Sequence, residues 1–101
     1  MVYTKNRSFE WDPRKNITNK QKHGIAFEEA LTAFDDPDAV IRDDSMHSTK
    51  EIRFALIGMS DFGVLFIVFT IRSANGLHRI ISARSASRKE RRIYEEINKR
   101  N

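Results

Sequence analysis

The chain contains no cysteine, which removes disulfides, zinc–thiolate centres and thiol nucleophiles from consideration. It has no apolar run long enough to span a bilayer; the longest is Val64 to Ile71. Residues Met1 to Arg7 carry no hydrophobic signal core, so a cytoplasmic location with no membrane association is expected. Internal repeats, low-complexity segments and linkers are also missing. With 101 residues and 40% hydrophobic content, a single domain over 1–101 with one modest core is expected, residues 1–8 forming a flexible N-terminus.

Charge is plentiful and uneven. Residues 1–50 hold eight Lys/Arg against nine Asp/Glu, whereas residues 51–101 hold ten against five. A basic C-terminal half suggests an anionic partner, nucleic acid being the commonest kind. A merely soluble basic protein would show the same totals, so charge alone decides little.

The turn-forming residues divide the chain. Phe9 to Asp12 alternates and predicts an edge strand with Phe9 and Trp11 inward. Asp12-Pro13 is a strong helix start, and Gly24 a strong stop, for a basic helix over 13–23. Phe27, Ala30, Leu31 and Phe34 recur at helical spacing, predicting a second helix with a core face. Asp35, Asp36 and Asp38 around Pro37 read as its stop. Ala39–Arg42 reads as a short strand, and Asp43–Lys50, with His47, as an exposed loop. Glu51–Met59, Val64–Ile71 and Leu77–Ala86 read as three strands joined by Ser60–Gly63 and Ser73–Gly76, the Asn75-Gly76 pair being a hairpin signal. Ser87 and Glu90 form a capping box for a last helix to about Asn98. The expected fold is α+β: a small antiparallel sheet, two N-terminal helices and one C-terminal helix.

Strand parity locates a candidate site. Four-residue loops pair Met59 with Val64, Arg53 with Thr70, Thr70 with Arg79, and Arg72 with Leu77. Glu51, Arg53, Thr70, Arg72 and Arg79 then gather at one end of one face. Ala55, Ile57, Met59, Phe66, Val68, Ile81 and Ala83 fill the rest of it as core. His78, Ile80, Ser82 and Arg84 fall on the opposite face unless a bulge intervenes. Arginines sharing one patch suit bidentate contact with phosphate; an ion-pair network centred on Glu51 is the bland alternative.

Several segments in order resemble one family. They are Phe9–Lys15, Lys22-His-Gly24, Phe27–Ala30, Phe34–Pro37, Glu51–Arg53, Leu56–Gly58, Arg79–Arg84 through Arg91, and Tyr94–Glu96. The set is similar to the BrnT family of bacterial type II toxins. The resemblance implies a RelE-like ribonuclease fold and RNA cleavage that inhibits translation. It also implies neutralisation by a BrnA-type ribbon-helix-helix antitoxin, operator DNA being bound only through that complex. One position departs: where the family often places a capping Ser, this chain has Ala26.

The corresponding chemistry is metal-independent attack of a 2′-OH on the adjacent phosphate, with no cofactor. Arg53, Arg72 and Arg79 are the candidates for charge stabilisation. Glu51 is the candidate base. His23 is the candidate acid or alternative base, histidine being the residue type that titrates nearest neutrality. Lys22, Thr70, Arg84, Arg88, Arg91 and Arg92 are the candidate RNA contacts. The alternative reading is a non-catalytic nucleic-acid-binding or antitoxin-docking module.

Overall fold

The computed structural model describes residues 2–4, 7–44, 51–72 and 76–99. His47 and residues 45–50 of the expected loop, and 73–75 of the Ser73–Gly76 connection, lie outside the described residues. Strands β1 (Val2–Thr4) and β2 (Arg7–Glu10) lead into helix α1 (Pro13–His23) and the short helix α2 (Phe27–Ala30). A 3₁₀ segment, Leu31–Asp35, continues α2. Then come β3 (Val40–Asp43), β4 (Arg53–Ser60), β5 (Gly63–Ile71), β6 (Leu77–Ser85) and α3 (Arg88–Lys99). Among the described residues no helix is long and apolar enough to cross a membrane.

The six strands form one sheet in the order β1-β2-β6-β5-β4-β3. It is mixed, which corrects the expected antiparallel sheet: β2 runs parallel to β6, pairing Ser8 with Leu77, Phe9 with His78 and Glu10 with Arg79. The connection explains this. From β2 the chain crosses the whole sheet through α1, α2 and the 3₁₀ segment to reach β3 at the far edge, and the β3–β6 meander then returns. Nor is the Phe9–Asp12 strand an edge. It starts at Arg7, ends at Glu10, and lies between β1 and β6. Trp11, beyond it, packs edge-on against Phe27 at 6.1 Å.

Caps and turns follow local chemistry closely. The Asp12 carboxylate accepts from Arg14 N–H at 2.8 Å, and Gly24 closes α1 with φ of 76°. The second helix keeps α-helical form only to Ala30 before tightening to 3₁₀. Its Ala26 start lacks a capping hydroxyl. Asn16 of α1 supplies the missing acceptor, its Oδ1 taking Phe27 N–H at 2.7 Å, while Glu29 takes Ala26 N–H at 2.8 Å. The β4–β5 hairpin has the expected register, Arg53 opposite Thr70 and Met59 opposite Val64, around a turn at Asp61-Phe62. Gly58 is required by a close approach: an added Cβ would lie 2.9 Å from the Ala33 carbonyl oxygen.

The main core is on the face opposite the one expected. Phe9, Phe27, Ala30, Leu31, Phe34, Leu56, Leu65, Ile67, Phe69, Ile80 and Ala83 pack together between the sheet and the α1–α2 layer. Fully burying side chains of this size stabilises by roughly 1.5–3 kcal/mol each. His78 joins this face, stacked on Phe69 with centroids 5.4 Å apart. The outer face, with Ala55, Ile57, Met59, Phe66 and Val68, is covered only in part, by α3. No residue of α3 is buried. Polar ties hold it: the Tyr94 hydroxyl donates to Asp36 at 2.6 Å, and the Asn98 amide to the Asp38 carbonyl at 3.2 Å.

Candidate ribonuclease site

A bulge in β6 shapes the outer face. Thr70 pairs with Arg79 and Phe69 with Ile80, but Val68 pairs with Ser82, so Ile81 is the extra residue. Beyond it parity inverts. Ala83 turns into the core, while Ser82 and Arg84 come to the outer face, opposite Val68 and Phe66. This corrects the regular-strand expectation for Ser82, Ala83 and Arg84. A bulge here shifts side chains between faces without ending the strand.

Two depressions meet at the bulge. One, of about 440 Å³, is lined by Asp44, Arg53, Phe66, Val68, Ile81, Ser82, Arg84 and Glu90. The second, of about 280 Å³, includes Arg14, Lys15, Lys22 and His23 of α1. Ile81 and Ser82 line both. The basic face of α1 and the arginine-bearing sheet face are therefore adjoining walls.

Asn19 sets those walls against each other. β2 leaves β6 after Arg79, so the backbone of β6 beyond that point lacks a neighbouring strand on that side. Asn19, only 6% exposed, takes the place of one. Its Nδ2 donates to the Ala83 carbonyl at 2.7 Å and its Oδ1 accepts from Ala83 N–H at 3.2 Å. Nδ2 also donates to the Ile25 carbonyl at 2.8 Å. Buried backbone groups need such partners.

The expected residues divide into groups. Arg53, Thr70 and Arg79 form a row across β4, β5 and β6. Thr70 is buried, its hydroxyl donating to the Ile52 carbonyl at 2.8 Å. Arg79 pairs with Glu10 at 3.3 Å, a partner supplied by the parallel strand. Glu51 precedes β4 and pairs with Arg72 at 3.3 Å, both partly exposed. Neither is among the residues lining the two depressions. Lys22 and His23 reach the adjoining wall. Arg84 reaches the cleft through the bulge, held by Glu90. Arg88 and Arg91 are exposed on α3, and Arg92 lines a separate depression with Arg42 and Lys89.

Several residues here escaped the sequence reading: Glu10, Asn19, Phe66, Ser82 and Asp36. Asn19 had a signal. A helix with almost no apolar residues still has an inward side, and Asn16 and Asn19 share it at i, i+3. Asp36 does more than stop a helix, since its Oδ2 accepts from both Tyr94 and Met59 N–H. Burial works against its charge, but hydrogen bonds from Tyr94, Met59 and Asp38 outweigh that and hold its pKa below the usual value. Burial first, and then the Asp36 carboxylate, push the Tyr94 pKa up to about 12.

At the end of β6, Arg84 and Glu90 form a two-pronged pair, Nη1 to Oε1 at 2.7 Å and Nη2 to Oε2 at 2.9 Å. The hydrogen bond from Glu90 raises the Arg84 pKa above its ordinary value against the effect of burial. Burial opposes the Glu90 charge, but Arg84 and the Ser87 N–H together keep its pKa low. The expected capping box is present as well, with Ser87 N–H on Glu90 at 2.8 Å and Glu90 N–H on Ser87 at 3.2 Å.

A search among curated proteins finds no match. A family described as the ribonuclease toxin, BrnT, of a type II toxin-antitoxin system matches residues 11–90. That span takes in α1, the Arg53–Thr70–Arg79 row, the bulge and Glu90, and the chain belongs to the BrnT family of type II toxin-antitoxin ribonuclease toxins.

Proposed function

We propose that the chain is a RelE-like, metal-independent endoribonuclease that cuts single-stranded RNA across the β6 bulge. The observation that carries this reading is the shared lining of Ile81 and Ser82, which joins the His23–Lys22 wall to the Arg53–Arg84 cleft. In the reaction the 2′-oxygen bonds to phosphorus and the P–O5′ bond breaks. The products are a cyclic phosphate and a 5′-OH. The 2′-proton passes to a base and the leaving oxygen takes a proton from an acid. His23 is the group on the wall suited to proton transfer. Arg53, with Arg79 further along its row, stabilises the charge that builds on the phosphorane. Lys22 holds the neighbouring phosphate. Glu51 is the second proton-transfer candidate, at the end of the sheet where it holds Arg72.

In the cell this activity inhibits translation. A BrnA-type antitoxin neutralises it, and the complex represses its own operon. The test is direct: purified protein with EDTA should cut an RNA oligonucleotide, leaving a cyclic phosphate end. RNA that stays intact while still bound would establish a binding module instead. Growth arrest on expression, relieved by a co-expressed ribbon-helix-helix protein, tests the toxin pairing.

A further inference from the structure

Arg84 is the arginine that the bulge delivers to the cleft, yet its hydrogen-bonding fork is already occupied. Both terminal nitrogens bind the Glu90 carboxylate, and Nη1 also reaches the Ser85 carbonyl at 3.3 Å. An arginine that receives phosphate bidentately needs that fork. What Arg84 has left is its plane. The guanidinium carbon lies 4.4 Å from the centroid of the Phe66 ring. Glu90 neutralises it, and Phe66 supports it on one side. Its side chain nevertheless stays 37% exposed, in a cleft whose floor is Phe66, Val68 and Ile81. The cleft volume of about 440 Å³ falls within the roughly 300–1,000 Å³ usual for small-ligand sites.

We propose that Arg84 is a nucleobase platform: Phe66 and Glu90 hold its guanidinium flat so that an unpaired base of single-stranded RNA stacks on it. Arginine planes and aromatic rings are the usual stacking surfaces for unpaired bases. The inference rests on the RNA-binding cleft but not on cleavage. Arg53 and Lys22, on either side of the bulge, then take the flanking phosphates. Arg84 would thus contribute to base binding rather than to the phosphate charge count.

The experiment uses 2′-O-methyl RNA oligonucleotides, which lack the attacking hydroxyl. Binding is therefore read whether or not the chain cleaves RNA. Affinity is measured against salt for the wild type and for Arg84→Ala, Arg84→Lys and Glu90→Gln, on oligonucleotides with an abasic residue walked along the strand. Arg84→Ala and Arg84→Lys should each weaken binding on the order of tenfold, with an unchanged salt slope, because stacking rather than charge is lost. That loss should vanish when one particular base is absent. Glu90→Gln preserves the capping box, since Gln serves there too. It frees the Arg84 charge for phosphate, so the salt slope should steepen by about 0.7. The proposal is overturned if Arg84→Lys binds like wild type while Arg84→Ala lowers the slope by about 0.7, since Arg84 would then be a phosphate ligand. It is overturned equally by an Arg84 effect that persists at every abasic position, or by wild-type protein that does not bind the oligonucleotide. Should the Arg84 variants unfold, Glu90→Gln with an unaltered slope decides against it.

Discussion

Asn19 holds Ala83 from both ends of its amide, donating to the carbonyl at 2.7 Å and accepting the N–H at 3.2 Å. One side chain of α1 thereby does for β6 what an adjacent strand would do. It also sets the distance between His23 and the bulge. Asn19→Ala leaves buried Ala83 and Ile25 groups unpaired and should destabilise by about 2–3 kcal/mol, at 1–3 per orphaned group with partial rescue by water. For a chain of this size that is a fall in Tm of roughly 10 °C or more, readable by thermal denaturation. A change under 2 °C would show that Asn19 does not hold the edge.

His23→Ala tests the proposed proton transfer. His23 is exposed, so stability should hold within about 0.5 kcal/mol. Single-turnover cleavage should fall by roughly 10²–10⁴-fold while RNA affinity changes little. Full activity in this variant, together with a comparable loss in Glu51→Gln, would transfer the role to Glu51.

Arg79 and its partner should separate charge from scaffold. Arg79→Ala should abolish cleavage and leave the fold intact by circular dichroism. Glu10→Gln removes the 3.3 Å partner of Arg79 without touching the proposed reacting groups. An exposed pair of this kind stabilises by about 0.2–1 kcal/mol at most. Its loss should barely move Tm and should leave cleavage at or above the wild-type rate. Strong RNA cleavage by Arg79→Ala would remove Arg79 from the site.

Tyr94 and Asp36 predict how stability follows pH. The Asp36 pKa is lower in the folded chain, so the unfolded chain binds its proton more readily near pH 4. That contribution is present above the unfolded value and is lost as pH falls through the folded one. Tyr94 has the opposite sign. Its pKa is raised to about 12, so its contribution is complete below about pH 10 and is lost as pH rises through 10–12. Tyr94→Phe should cost about 1 kcal/mol at pH 7 and flatten the alkaline loss. Urea melts at pH 3, 7 and 11 measure all three points.

Gly58→Ala should destabilise by about 1–3 kcal/mol, because the added Cβ meets the Ala33 backbone oxygen at 2.9 Å and backbone cannot easily yield. A variant as stable as the wild type would mean that the 3₁₀ segment shifts freely over β4.

Much of this was legible locally. Asp12, Pro13 and Gly24 bounded α1, and Ser87 with Glu90 started α3, because caps and boxes act within four residues. Phe27, Ala30, Leu31 and Phe34 are all buried as their spacing predicts. The β4–β5 register, and the Thr70–Arg79 pairing, followed from turn length and parity. The family resemblance likewise came from the order of short segments.

Tertiary structure decided the rest. Nothing in the residues themselves placed β2 parallel to β6, because that pairing joins segments some seventy positions apart and depends on where the α1–α2 layer lets the chain re-enter. Nor did parity say which face would be core. Both faces of β5 are apolar, and the helical layer chose between them by covering one. The bulge at Ile81 then reversed the second half of β6, a backbone event whose energy lies in packing and in the Asn19 hydrogen bonds rather than in local preference. Through it Ala83 became core and Arg84 came to the cleft.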